Sequence, residues 1–286
     1  SDPVRVYDYT MATMSQKPRV ALIIETSTIY GRRILAGLTR FLRTQAPWAV
    51  ILEQRSLSSL PPTWLLDWDG EGIISRATTP EIAQAIRRSE RPFIDLTDRY
   101  RDSGLVHLGS DHVAIGRMAA EHFSERGFVN LAFCGFADET WSALRSTGYR
   151  EALAAIGHNI WTYETPWQDL GSATWQNDQS ELRQWIKRLP KPVGIFACND
   201  VRGQQVLNAC AEIQCAVPEE VAVLGCDDDS LVCELCKPSL SSVMPNPEAI
   251  GYRSAEILDR WMKGERPVQR CELIPPIHIA LRQSTD

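Results

Sequence analysis

Short apolar runs of strand length alternate with longer segments of helical spacing over most of the chain. Residues 19–24 are a largely apolar run, whereas residues 32–43 place Ile34, Leu38 and Phe41 on one side of a helix. We predict strands over residues 19–24, 50–52, 72–74, 92–96, 107–109, 129–134, 160–163, 192–198 and 221–226, a short strand within 238–243, and a final extended segment over 271–281. We predict helices over residues 32–43, 80–89, 112–126, 141–156, 176–189, 202–213 and 247–262.

This regular alternation of strand and helix predicts the α/β class, with parallel sheets joined by right-handed crossovers. About ten strands are more than one open sheet comfortably holds, so we predict two doubly wound parallel-sheet lobes with a hinge and a ligand cleft between them. The junctions at Gly127–Phe128 and Val243–Met244 are the expected crossings between lobes. The assignment is residues 1–18 to an N-terminal extension, 19–127 plus 245–274 to the N-terminal lobe, and 128–244 plus 275–286 to the C-terminal lobe.

Composition identifies an ordinary globular chain, because hydrophobic residues make up 44% and charged residues 23% of its 286 positions. The net charge of −6 gives no support to nucleic-acid binding by these residues, although a local basic patch can still exist in an acidic average. No apolar run reaches the ~20 residues of a membrane span, and residues 1–18 contain no signal-peptide core, so no membrane partner is expected. The eight cysteines show no framework spacing and are interpreted as reduced thiols of a cytoplasmic protein.

Polar and aromatic side chains follow the predicted strands where each apolar run stops. They are Ser27, Tyr30, Arg76, Asp111, Trp141, Arg145, Asn199, Asp200 and Asp227. In an open α/β sheet such positions share the carboxyl edge, where ligands bind, and two facing lobes would bring the edges together. Carboxylates, the guanidinium group of Arg and the amide of Asn can each hydrogen-bond to a pair of sugar hydroxyls, and aromatic rings pack on the C–H surfaces of a sugar. The sequence therefore predicts a small polyol in the cleft, with these residues as its ligand-binding candidates.

Each candidate also has a purely structural interpretation. Asp111 and the pair Asn199–Asp200 stand where a side chain caps the following helix. Arg145 falls in the middle of a helix, where an arginine is commonly on the surface. The pattern leaves both interpretations open for each residue, and the concurrence of several such residues at strand ends favours a ligand site.

Cys233 and Cys236 form a Cys-x-x-Cys pair with three interpretations: half a zinc site, a redox pair, or one thiol packed before Pro238 and one exposed. Tetrahedral zinc needs two more ligands, and the sequence has no second pair and no histidine cluster. We therefore expect no metal and no cofactor. A nucleophile elbow, a Gly-rich phosphate loop and a convincing pair of catalytic carboxylates are also lacking, so we predict that the protein is not an enzyme.

Several segments together resemble the effector-binding region of lactose/galactose-repressor-type proteins, which share the type I periplasmic-binding-protein fold. They are residues 109–122, 145–153, 196–200, 223–228 and 238–243, followed by Gly251. The spacing of Trp141, Arg145 and Arg150, the segment from Trp175 to Trp185 and the terminal residues 282–286 are similar to the sensor part of bacterial xylose-operon regulators. The resemblance covers nearly the whole chain from residue 19 onward and implies the type I periplasmic-binding-protein-like fold.

What the resemblance implies is a two-lobed sensor that closes over a monosaccharide. By motif, its ligand contacts fall on Asp111, Arg145, Asn199 and Asp227, with Asn246 near the lobe crossing and Ser27 and Tyr30 as first-lobe contacts in a variable loop.

The predicted function is therefore sugar sensing, of D-xylose or a related pentose, by the effector domain of a cytoplasmic transcription regulator. In the xylose-type regulators the DNA reader follows the sensor, so we expect operator DNA as a partner only through a C-terminal helix-turn-helix domain that is not in this chain. A homodimer is expected, because regulators of this type usually dimerise through the first lobe. The alternative is a transport-associated periplasmic sugar-binding protein on the same fold, which would require export.

Overall fold

The computed structural model describes residues 17–45, 47–53, 60, 62–65, 67–89, 91–99, 103–167 and 172–286. In chain order these residues form β1 (Arg19–Ile23), α1 (Ile29–Thr44), β2 (Ala49–Leu52), β3 (Gly72–Ser75), α2 (Pro80–Ser89), β4 (Phe93–Asp95), β5 (Val106–Ser110), α3 (His112–Glu125), β6 (Asn130–Phe136), α4 (Thr140–Ala154), β7 (Ile160–Thr165), α5 (Ser172–Arg188), β8 (Val193–Ala197), α6 (Asp200–Glu212), β9 (Val221–Cys226), α7 (Ser230–Leu235), β10 (Ser241–Met244), α8 (Pro247–Met262), β11 (Cys271–Ile274) and β12 (His278–Ala280). The N-terminal extension that we predicted lies outside the described residues except for positions 17 and 18.

The strands build two sheets of six strands each within the described part of the chain. The first sheet has the order β11-β5-β4-β3-β1-β2, and all of its neighbouring strands are parallel. The second has the order β12-β10-β9-β8-β6-β7 and is parallel except for the antiparallel β10–β12 pair. The α/β class with two parallel-dominated sheets is thus confirmed. We call the sheets, with the helices packed on them, the first and second lobes.

The final extended segment of the prediction is divided between the lobes. β11 joins the first sheet beside β5, and β12 joins the second sheet beside β10. Pro275 and Pro276 separate the two strands. Because proline has no N–H to give to a strand ladder, the pair ends one strand before the next begins.

Helix α3 packs on the second sheet, although we assigned residues 19–127 to the N-terminal lobe. Ile115, Ala119 and Phe123 share a buried cluster with Leu131 and Phe133 of β6. The packing therefore moves the proposed lobe boundary from 127/128 to the link between β5 and α3. A hydrophobic face cannot be allotted to one of two sheets by its periodicity alone.

Close packing of α3 on α4 depends on two glycines. A Cβ at Gly116 would lie 2.1 Å from the carbonyl oxygen of Arg145, and one at Gly148 would lie 2.0 Å from that of Val113. Since neither approach leaves room for a side chain, the two helices touch backbone to backbone at this point. The first of these contacts is at the backbone of Arg145.

Two short elements were not predicted. Helix α7 is six residues long and follows the Asp229 cap, and a single 3-10 turn spans Thr63–Leu65. Both are too short to show a helical period in the sequence. Helix α5 begins at Ser172, four residues before the predicted start at Gln176.

Candidate functional site

A cavity of about 220 Å³ lies where the carboxyl edges of the two sheets face each other. Its lining comes from segments that follow β1, β3, β4, β6, β7, β8 and β9, together with His112 at the start of α3. Drug-sized ligands occupy roughly 300–1,000 Å³, so this cavity suits a smaller molecule. The lining residues are Glu25, Ser27, Thr28, Ile29, Tyr30, Arg76, Asp98, His112, Trp141, Arg145, Trp167, Asn199, Asp200, Val201, Asp227, Asp229 and Val232.

Arg76 organises the first-lobe wall of the cavity. Its guanidinium pairs with Glu25 and lies 3.0 Å from Asp98 Oδ2, while Nε donates to the carbonyl oxygen of Leu96 at 3.3 Å. The guanidinium carbon also lies 4.6 Å from the centre of the Tyr30 ring. Because one cation contacts both carboxylates, it fixes their positions and makes this wall polar and rigid.

Tyr30 closes the same wall from α1. Its hydroxyl makes a 2.8 Å hydrogen bond with Ser110 Oγ at the end of β5. Burial raises the pKa of the Tyr30 phenol, so the group stays neutral. Ser27 lies beside it on the loop that leads to the Thr28 cap of α1.

Arg145 organises the opposite wall. Its side chain is only 3% exposed and it donates from Nη2 to Asp227 Oδ1 at 2.9 Å and from Nη1 to the carbonyl oxygen of Cys198. The guanidinium lies 5.1 Å from the centre of the Trp141 ring. The planar guanidinium has several separated N–H donors, so it can bond to these acceptors from one position. The compact ammonium group of a lysine cannot do so.

A chain of polar contacts crosses the cleft from one arginine wall to the other. Arg145 Nε donates to His112 Nδ1 at 3.3 Å, and His112 Nε2 lies 3.4 Å from Asp98 Oδ1. Burial lowers the pKa of His112, so the ring is neutral at pH 7. Because a guanidinium can only donate, Nδ1 accepts and the ring proton sits on Nε2, facing Asp98.

Asp200 forms a buried acidic corner of the second-lobe wall. Oδ1 accepts from Ser242 Oγ at 2.6 Å, and Oδ2 accepts from the backbone N–H of Asp229 at 2.7 Å. Burial raises the pKa of the Asp200 carboxyl, and the charge of Asp227 raises it further.

Asn199 precedes this corner and caps α6. Its Oδ1 accepts from the backbone N–H of Arg202 at 2.9 Å. Asn199 is also on the cavity lining, and its amide NH₂ makes no hydrogen bond to the described residues.

The backbone after β9 is held in an unusual conformation. Asp227 has φ = 106° and Asp228 has φ = 49°, both in the region that L-residues rarely adopt. Their carbonyl oxygens accept from Arg33 of α1 at 3.2 and 3.1 Å respectively. This turn therefore directs Asp227 into the cavity while it contacts the first lobe.

The structure brings most of the predicted site residues to this one cavity. Those on its lining are Ser27, Tyr30, Arg76, Trp141, Arg145, Asn199, Asp200 and Asp227. Asp111 and Asn246 are not on it. Asp111 Oδ1 accepts from the Ala114 N–H at 2.9 Å and Asn246 Oδ1 from the Ala249 N–H at 3.1 Å, so both side chains act as helix caps. Asp111 borders a separate small cavity of about 40 Å³.

The sequence prediction missed several lining residues. Glu25 and Asp98 follow β1 and β4, so the strand-end rule contained the signal for both. Asp229 and Val232 reach the lining through α7, which was not predicted. His112 was placed in a helix, and only the direction of α3 across the cleft brings it to the site.

The Cys233–Cys236 pair lies in and just after α7, behind the Asp200 corner. Both side chains are buried, and burial raises the pKa of Cys236 to about 11. The pair thus consists of protonated thiols at pH 7. No group of three or more His, Cys, Asp or Glu side chains among the described residues is arranged to hold a metal ion.

Sequence models of two families match the chain. The model described as a periplasmic binding protein-like domain matches residues 120–285, and the one described as the XylR N-terminal domain matches residues 19–109.

None of the helices in the described ranges has the length and apolar character of a membrane span.

Two similar curated proteins are each called xylose operon regulatory protein. That of Haemophilus influenzae is 29% identical over 276 residues, covering 94% of this chain and 70% of the relative. That of Escherichia coli strain K12 is 27% identical over 281 residues, covering 95% of this chain and 70% of the relative.

Solved structures agree on the fold. A structure described as the xylose-binding transcription activator xylR superposes with a TM-score of 0.80 at 26% identity, over 95% of this chain and 70% of that one. A complex of the transcriptional regulator CelR with cellobiose superposes with a TM-score of 0.74 at 21% identity, over 94% of this chain and 85% of that one. The type I periplasmic-binding-protein-like fold is therefore confirmed.

Proposed function

Because the chain belongs to the family of periplasmic binding protein-like domains, we propose that it is the sugar-sensing domain of a transcription regulator, with D-xylose or a related pentose as its effector. The names of the relatives support the choice of sugar, since the match to the xylose operon regulators spans nearly the whole chain. The observation that carries the proposal is the cavity that both lobes line with hydroxyl-complementary groups.

The chemistry of the lining supports an uncharged polyol. Glu25, Asp98, Asp200, Asp227 and Asp229 oppose only two guanidinium groups on the lining. This excess of carboxylates repels an anion, whereas the same carboxylates accept hydrogen bonds from sugar hydroxyls. The indole rings of Trp141 and Trp167, whose centres lie 5.8 Å apart, provide an apolar wall for the C–H face of a ring sugar.

The proposed mechanism is a shift between open and closed lobes. A sugar that contacts both arginine walls is bound fully only when the lobes approach, so it favours the closed state. The size of the shift is limited by the difference in affinity of the sugar for the two states. In this proposal the residues that contact the sugar are the predicted ones on the lining, together with Glu25, Asp98 and Trp167.

Calorimetric titration with a panel of small ligands tests the function. We expect D-xylose to bind with a Kd in the micromolar range, and L-arabinose, D-ribose and D-glucose to bind more weakly. D-Xylonate tests the charge argument, because it has xylose-like hydroxyls and one negative charge. Binding of none of the sugars would refute a sugar sensor, and tighter binding of D-xylonate than of D-xylose would refute an uncharged ligand.

Asp227→Ala assigns the binding to this cavity. It removes a hydroxyl acceptor and the carboxylate partner of Arg145, so sugar binding should fall by at least tenfold. Glu219→Ala, which removes an exposed carboxylate away from the lining, is the matched control and should bind as the parent does. Equal affinities of the two variants would place the sugar elsewhere.

We further propose that the sugar signal reaches operator DNA through a helix-turn-helix domain C-terminal to the sensor. The regulators named above support this, since this chain matches 70% of their length. Operator binding by a protein extended beyond residue 286, with and without D-xylose, tests the proposal, because the sugar should change the affinity for DNA.

A homodimer is proposed on the family resemblance and on one surface feature. Val50, Ile51 and Leu52 of the edge strand β2 are 38–45% exposed, which is unusual for consecutive apolar residues. Light scattering of the purified protein measures the mass directly, and Ile51→Lys should lower it if this edge is buried in the dimer.

We also propose a cytoplasmic, non-catalytic role. All eight cysteines are free thiols, which supports a reducing compartment rather than the transport alternative. The relatives named above are transcription regulators, which supports binding without chemistry. Recovery of unchanged D-xylose after prolonged incubation with the protein tests the second point.

A further inference from the structure

A second cavity, of about 320 Å³, opens at the end of the first lobe opposite the sugar cleft. Val106, on its lining, is the first residue of β5, and Arg270 directly precedes β11. Arg91, also on the lining, lies two residues before β4. Since these strands are parallel, all three positions lie at the amino edge of the sheet, whereas the sugar cleft lies at its carboxyl edge.

Four arginines line this cavity, namely Arg87, Arg91, Arg266 and Arg270, and no Asp or Glu is among the described residues on its lining. Trp261, in the last turn of α8, supplies an aromatic wall. This concentration of positive charge occurs in a chain whose net charge is −6.

Two of these arginines also interact with groups that are not on the cavity lining. Arg87 lies in the last turn of α2, where a cation is favoured by the helix dipole, and its Nη1 donates to the carbonyl oxygen of Ser103. Arg91 contributes, after Arg19, to lowering the pKa of the exposed Asp69 carboxyl. Arg266 and Arg270 follow α8 and face the same concavity. An anion placed between the four guanidinium groups is attracted by all of them.

We propose that this cavity is a binding site for a small phosphate-bearing molecule, separate from the sugar cleft. Guanidinium groups are planar forks that match phosphate oxygens two at a time. The concave shape and the indole wall favour a compact ligand over a nucleic-acid backbone, and the overall negative charge opposes a polyanion. The site would let a phosphorylated metabolite bind while the sugar is bound.

The test uses inorganic phosphate, glucose 6-phosphate and AMP in calorimetric titrations of the whole chain, with the ionic strength held constant by NaCl. At least one should bind saturably with a Kd of about 1 mM or tighter. The three ligands identify the source of the phosphate, since AMP should bind best if Trp261 stacks on a base, and glucose 6-phosphate if the indole covers a sugar. Inorganic phosphate should bind as well as either if the arginines alone recognise the ligand.

The double variant Arg91→Gln/Arg270→Gln should weaken that binding by at least tenfold. The control Arg183→Gln/Arg188→Gln removes two positive charges from α5 in the second lobe, away from this cavity, and should leave the binding unchanged. Retained D-xylose binding, or an unchanged circular dichroism spectrum if no sugar binds, shows that the first variant is folded.

Three results would overturn the proposal. They are no saturable binding of any of the three ligands, an equal loss in both double variants, and arginine-dependent binding of a duplex oligonucleotide by a protein that binds none of the small phosphates. The last result would assign the surface to nucleic acid.

Discussion

Arg99 and Glu139 join the two lobes through a two-pronged ion pair. Arg99 Nη2 lies 2.7 Å from Glu139 Oε1, and Nε lies 3.0 Å from Oε2. Arg99 follows β4 of the first lobe, and Glu139 precedes α4 of the second and is only 3% exposed. The same carboxylate accepts from the indole N–H of Trp141 at 2.7 Å. Separation of the lobes would break this pair and release one wall of the cavity.

Arg99→Gln should weaken D-xylose binding, although residue 99 does not line the sugar cavity. The substitution leaves the Glu139 carboxylate buried in the closed state with one donor fewer, at a cost of roughly 1–2 kcal/mol, or 5- to 30-fold in affinity. The loss should be in the dissociation rate, because the pair forms only after the lobes close. Stopped-flow fluorescence measures both rate constants.

Arg183→Gln is the matched control for this prediction. Arg183 pairs with Glu212 within the second lobe, so its loss leaves closure unaffected. Dissociation from Arg99→Gln that is as slow as from this control would mean that the lobes stay closed without the ion pair.

Asp228 links the first lobe to the end of the chain. Its Oδ2 lies 3.6 Å from Nη2 of Arg33 in α1, and its Oδ1 accepts from Arg282 Nη2 at 2.8 Å. The Ser284 N–H then donates to the carbonyl oxygen of Ser239 at 2.9 Å. Closure that engages Arg33 therefore acts on a residue that also holds the terminal segment.

Asp228→Asn should uncouple that segment from the sugar. The carbonyl acceptors for Arg33 remain, so D-xylose affinity should stay within about threefold, while Arg282 loses an ionic partner. Hydrogen exchange of the amides at 282–285 should slow on sugar binding in the parent and not in the variant. Glu234→Gln, which removes the exposed carboxylate partner of Arg282, is the control and should keep the response.

Arg145→Lys should reduce sugar affinity by at least tenfold and the free energy of unfolding by about 1–3 kcal/mol. One ammonium cannot reach Asp227, His112 and the Cys198 carbonyl together, so at least one buried acceptor loses its donor. Calorimetric titration and urea unfolding measure the two effects.

Arg150→Lys is the control in the same helix, because Arg150 is exposed and its side chain makes one 3.3 Å hydrogen bond, to Ser146. If both variants bound D-xylose equally, the guanidinium fork of Arg145 would have no part in recognition.

The strand-end rule predicted most of the cavity because it depends only on where apolar runs stop. Arg76, Asn199 and Asp227 each follow a strand by one to two residues, and parallel pairing brings such positions to one edge. The rule cannot distinguish a cap from a ligand contact, since both use a polar side chain at the same position. Asp111 and Asn246 cap helices and are not on the cavity lining, whereas Asn199 caps α6 and is also on the lining.

The sequence could not assign α3 to one lobe, for a different reason. The apolar face of α3 is equally suited to either sheet, and its partner is decided by the backbone contact at Gly116 and Gly148. The same packing delivers His112 and Arg145 to the cleft together. Contacts between residues that are distant in sequence do not produce a periodic pattern of hydrophobic positions, so the sequence does not reveal them.

His122 makes the folded protein sensitive to mild acid. The side chain is buried in α3, its Nδ1 lies 3.1 Å from Arg126 Nη1, and its Nε2 has no hydrogen-bond partner among the described residues. Burial, followed by the charge of Arg126, lowers the pKa of His122 to about 4. The unfolded chain binds this proton near pH 6.5, so between about pH 6.5 and 4 it holds more protons than the folded one.

Stability should therefore fall as the pH drops through that window. Between pH 7 and pH 5 the parent should lose about 2 kcal/mol of unfolding free energy more than His122→Gln, which keeps an acceptor for Arg126 but cannot be protonated. Urea unfolding at both pH values measures the difference. His278→Gln, at an exposed position of β12, is the control and should behave as the parent does. Equal losses in the parent and His122→Gln would mean that the imidazole is protonated in the folded state at pH 5. The ring would then have to leave its place against Phe123, whose ring centre is 5.4 Å away, or find a partner for Nε2.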